Sequence, residues 1–143
     1  MDEKEYPKEF LRGISNKDFI QNGYVLATAF QFEDQGRVDN KTEASINWLD
    51  DDGAIIIALA QKKDNGKLQF PAGIAKLNLE NVKLVLRSFS EEEFSYERAP
   101  VEGNQYHGNL LLKSTISRPV KQLIMNGLAL AAGTSIIPQS TCE

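Results

Sequence analysis

The tightest constraint on this chain comes from two adjoining segments near its C-terminal end. Residues 106–113 carry Leu110, Leu111 and Leu112 in succession. An extended strand with apolar side chains on both parities needs cover on both faces. After a short polar gap, Val120, Leu123, Ile124, Gly127, Leu128 and Ala131 recur at helical spacing. Ser117 suits the N-cap, Pro119 falls in the first turn where its missing N–H costs little, and Gly133 suits the stop. A doubly covered strand followed by an amphipathic helix implies a sheet with helices packed on it.

The rest of the chain is consistent with that plan. Alternation predicts an interior strand over residues 24–32 and another over 44–49, where Ala44, Ile46 and Trp48 oppose Ser45, Asn47 and Leu49. Asp50, Asp51 and Asp52 supply a cap and negative charge for a helix over residues 53–63, with Ile55, Ile56, Leu59 and Ala60 as its apolar stripe. Earlier, Ser15 starts a short helical turn that Gly23 ends. Residues 68–77 read as an edge or bulged strand because Pro71 and Gly73 interrupt them. Residues 82–86 fit a strand or a short helix, and residues 94–98 extend. The expected fold is α+β: a mainly antiparallel sheet of about four to six strands with two main helices, starting near residues 52 and 118. With 143 residues, 41% of them apolar, the chain suits one domain, placed at residues 9–133 with flexible tails at 1–8 and 134–143.

Charge and cysteine usage narrow the function classes. A net charge of −4 argues against a dedicated nucleic-acid binder, whose phosphate contacts need a basic face. Cys142 is the single cysteine, so neither an internal disulfide nor a cysteine-based metal centre is expected. Residues 1–8 are acidic and polar, unlike a secretory leader, and no apolar run has the length of a membrane span. The expected location is the cytoplasm.

Few residues offer chemistry. His107 is the only histidine, which rules out a multi-histidine metal site. It starts a strand after a loop, where functional groups are often displayed, and it also fits an edge histidine satisfied by a backbone group. No G-x-S-x-G elbow nominates a serine, and neither the dinucleotide fingerprint nor the P-loop string occurs, so no cofactor is indicated. Asp50 to Asp52 do not match a calcium loop, and Glu91 to Glu93 read as a solvated turn. Tyr24, Phe30, Phe32 and Trp48 lack interleaved basic residues and read as core rather than as a base-stacking platform. Arg12, inside Phe10-Leu11-Arg12-Gly13-Ile14, needs a carboxylate, a phosphate or solvent, with an internal salt bridge as the simpler fate.

Two resemblances bear on these residues. Arg12, Asn22-Gly23, Ala29-Phe30 and Ser45-Ile46-Asn47, followed by Tyr106-His107-Gly108-Asn109 and the helix from Pro119, resemble in their order a widespread set of small bacterial proteins of unknown function. That resemblance implies that Arg12, Ser45 and His107 share one ligand-binding site. Leu11-Arg12-Gly13-Ile14-Ser15 also resembles the first-strand arginine motif of the NAD-using ADP-ribosyltransferases. Ala44-Ser45-Ile46 stands where that family has Ser-Thr-Ser, and Glu91-Glu92-Glu93 is the nearest Glu-x-Glu string. Two expectations follow. One is a binding or regulatory module without catalysis, whose partner is another protein or a small anionic ligand. The other is a small enzyme acting on an anionic, nucleotide-like substrate, with Arg12 holding phosphate beside Ser45 or His107.

Overall fold

The computed structural model describes residues 6–139; parts of both expected tails, and Cys142, lie outside the described residues. In chain order the elements are β1 (Glu9–Gly13), β2 (Ile20–Gln21), β3 (Tyr24–Val25), β4 (Lys41–Trp48), α1 (Gly53–Ala60), β5 (Ile74–Asn78), α2 (Leu79–Val85), β6 (Phe94–Arg98), β7 (His107–Lys113), α3 (Arg118–Ala132) and β8 (Ile136–Ile137). The fold is α+β. Six strands make one sheet in the order β6-β7-β4-β1-β5-β8, and every neighbouring pair is antiparallel. The longest ladder joins β4 to β7, from Lys41 opposite Lys113 to Asn47 opposite His107. β2 and β3 form a separate hairpin turned by Asn22 and Gly23, both at positive φ, 54° and 82°.

Strand alternation divides the residues between two unequal layers. One face carries Phe10, Ala44, Ile46, Trp48, Leu77, Leu110 and Leu112 into the main core. There α3 contributes Ile124, Met125 and Leu128, α2 contributes Val82 and Leu86, and Phe30 and Phe32 complete the layer. The opposite face carries Leu11 and Ile74, covered by Ala54 and Ala58 of α1 together with Tyr106. α1 packs over β1 and the neighbouring part of β4, with Ile74 of β5 in the same cluster. On β4, β6 and β7 this second face is polar apart from the buried Leu111, and it holds the residues of interest below.

The C-terminal helix forms as its sequence predicts. Ser117 accepts from the Val120 N–H, Pro119 lies in the first turn, and Gly133 caps the end at φ +56°. Other elements differ. The strand expected over residues 24–32 shrinks to β3, followed by a 3-10 turn at Ala27–Ala29 and a single bridge from Glu33 to Glu43. Phe30 and Phe32 are buried as expected, but against α3 and the sheet face rather than within a ladder; Tyr24, also expected in the core, is instead exposed on the β2–β3 hairpin. The turn predicted from Ser15 is capped instead by Asn16, which accepts from the Asp18 N–H. α1 is shorter than predicted, and Asp51 rather than Asp52 accepts from its first N–H, that of Gly53. Residues 82–85 belong to a third helix, α2, with Leu86 as its C-cap, and Asn78 caps its start by accepting from the Asn81 N–H. Leu68 makes only an isolated bridge with Lys62, residues 69–73 are irregular or turn, and β5 begins only after Gly73 at φ +102°. The expected flexible tails are corrected in part. Ile136 and Ile137 pair with Ala75 and Ile74 as β8, and the Lys8 carbonyl accepts from the Leu79 N–H. Among the described residues no helix is long and apolar enough to cross a membrane.

Candidate functional site

The residues expected to share a site separate. Arg12 alternates with Leu11 along β1, so it lies on the Phe10 face. Its Nε donates to the Ala29 carbonyl at 2.9 Å, Nη1 to the Ser45 carbonyl at 2.7 Å, and Nη2 to the Gln31 carbonyl at 3.5 Å. Desolvation pushes the guanidinium down to about 10, with the charge of Glu33 opposing. Its contact with Ser45 is therefore with the backbone, and it forms no salt bridge among the described residues. The expected internal ion pair is replaced by three carbonyls.

Ser45 and His107 do come together, on the polar second face. They line a recess of about 30 Å³ with Asn47, Gln61, Phe70 and Gly13. That volume holds about one water molecule. Across the β4–β7 ladder Ser45 stands opposite Asn109, and His107 opposite Asn47, so Ser45 and His107 are diagonal neighbours. Such pairs lie about 7 Å apart, beyond direct proton transfer. The His107 Nδ1 is 2.8 Å from the Ala99 carbonyl. A carbonyl only accepts, so this nitrogen carries a proton and no carboxylate orients the ring. Nothing in the recess makes a nucleophile–base–carboxylate relay.

Beside the recess runs a charged network that the sequence analysis did not single out. Arg37 reaches from the 33–40 loop onto the sheet and donates to Asp39, Glu43 and Glu97. These carboxylates hold Arg37 above its ordinary range, led by Asp39 and then Glu97. Burial alone raises Glu97, but hydrogen bonds from Arg37 and Asn109 outweigh it and leave the carboxyl lowered. Asn109 is 3% exposed and donates to Glu97 at 2.8 Å, while its Oδ1 has no partner among the described residues. Nearby, Asn104 donates to Asn47 at 2.8 Å. These internal partners make the strip a fastening between strands and loop. Among the described residues, no group of three or more histidine, cysteine, aspartate or glutamate side chains could hold a metal ion.

A larger recess opens on the other face, between α2 and β6. It measures about 430 Å³, within the ordinary range for small-molecule sites. Tyr6, Phe89, Phe94 and Tyr96 give it aromatic walls, and Lys83 and Arg87 line it as well. Tyr96 is the hub: its ring lies 5.3 Å from Phe94, 5.8 Å from Phe10 and 6.1 Å from Tyr6, edge to face in each case. Burial pushes the Tyr96 hydroxyl above its usual range. Sequence reasoning missed this groove. Its only local signal was the four-residue spacing of Lys83 and Arg87 next to the Phe94–Tyr96 alternation. Comparison of the chain with protein-family models, with curated proteins and with solved structures gives no match.

Proposed function

We propose that the chain is a small cytoplasmic binding module without catalysis, and that its ligand seat is the groove between α2 and β6. One observation carries this reading. The groove is the roomy aromatic recess, whereas the recess holding Ser45 and His107 has space for about one water. The enzyme alternative would need Arg12 to grip a substrate phosphate, but the Arg12 N–H groups are directed at the carbonyls of Ala29, Ser45 and Gln31. The test is an amide-resolved NMR titration of the full chain with a small panel of aromatic acids, amides and alcohols. Saturable shifts clustered at residues 82–96 are the expected result. Shifts centred on Ser45 and His107, or none at all, would overturn the reading.

A further inference from the structure

Resting on that reading, we propose a ligand class for the groove: a flat aromatic ring that carries one acidic group. The ring half of the argument comes from the lining. Tyr6 and Phe94 each meet Tyr96 edge to face, an arrangement that leaves ring faces and edges open to a further aromatic partner. Phe89, Val82 and Leu86 add apolar wall. Tyr96 also brings a polar handle, since its hydroxyl makes no hydrogen bond among the described residues.

The acidic half comes from charge. Lys83, in the last turn of α2, and Arg87, in the turn that follows the helix, both line the groove. Neither forms a salt bridge among the described residues. Lys83 sits 6.0 Å over the Tyr6 ring, and Arg87 makes one long bond, 3.4 Å to the Leu84 carbonyl. The carboxylate in the lining, Glu91, is engaged by the Tyr6 hydroxyl. The lining therefore carries two positive charges against the one negative charge of Glu91, so a cationic ligand would meet a net positive wall and a neutral one would leave that excess unanswered. An acidic group on a ring seated against Tyr96 reaches them.

The experiment compares 2-naphthoate with its neutral counterpart, 2-naphthamide, by calorimetry and NMR on the full chain. Naphthoate is expected to bind about tenfold more tightly, the yield of two partly solvated ion pairs. In the double variant Lys83→Gln, Arg87→Gln that preference should vanish while amide binding persists. Both side chains are exposed, so the variant should keep the wild-type amide spectrum away from α2. Equal binding of acid and amide would overturn the acidic class and leave the groove as a seat. A preference that survives the double variant would also overturn it. No binding of either compound would overturn the class and the seat together.

Discussion

Replacing Arg12 with methionine tests whether this arginine holds the fold or awaits a ligand. Methionine keeps the length and apolar stem but removes every donor. Two of the Arg12 bonds are short, 2.9 Å to Ala29 and 2.7 Å to Ser45; the third, at 3.5 Å, contributes little. Hydrogen bonds from a charged donor contribute about 1.5–3 kcal/mol each, so the two short ones represent about 3–6 kcal/mol. Against this stands the cost of burying the charge. A fall from 12.5 to about 10 corresponds to roughly 3 kcal/mol, at about 1.4 kcal/mol per unit. The difference, about 0–3 kcal/mol, leaves Arg12 stabilising by about 1.5 kcal/mol. For a chain of this length each kcal/mol moves the melting temperature by about 3 °C, so Arg12→Met should melt about 4–5 °C lower. Circular dichroism during heating reads this directly. An anion-binding arginine on the surface would behave differently. Its replacement would move stability by less than about 0.5 kcal/mol, and phosphate would raise the melting temperature of the wild type but not of the variant. That pair of results would refute the structural role.

Two further outcomes follow from the packing and the charges. Asp50, held low by the bidentate Arg98, and Glu97, where Arg37 and Asn109 outweigh burial, both have folded values below their ordinary ones. Their contribution is therefore complete above about pH 5 and is lost as pH falls through the lowered folded values. Urea midpoints measured from pH 6 to pH 2 should fall less steeply in Arg37→Gln and Arg98→Gln, and an unchanged slope would show that these pairs carry no linkage. Gly108→Ala would place a Cβ 2.4 Å from the Glu97 carbonyl and 2.5 Å from the Trp48 Nε1, which itself donates to that carbonyl. Because Trp48 is 1% exposed, it has no room to yield, and a loss of at least about 2 kcal/mol in urea unfolding is expected; a neutral result would mean the β6–β7 edge gives way easily.

Much of the local structure was readable because it depends on near neighbours. Ser117, Pro119 and Gly133 delimit α3 within its own segment, and the alternation over residues 44–49 lies almost wholly within β4. The misreadings share a cause. Residues 24–32 alternate well enough for a strand, but a strand exists only where a neighbour offers a ladder, and here α3 and the sheet face receive the side chains instead. Residues 136–137 carry too little pattern to read as a strand and become one because β5 has a free edge. The same holds at the functional level. Ser45 and His107 meet because β4 and β7 pair, and Arg12 turns from them because its parity places it on the other face.

Composition, period and capping chemistry were enough to determine that this chain makes a mixed sheet-and-helix body and where its last helix begins and ends. These are properties of side chains within a few residues of one another. The partners of Arg12, the fastening by Arg37, and the aromatic groove assembled from Tyr6, α2 and β6 were decided by tertiary structure alone. Each depends on groups far apart along the chain, whose meeting is set by strand order and register and by no local preference.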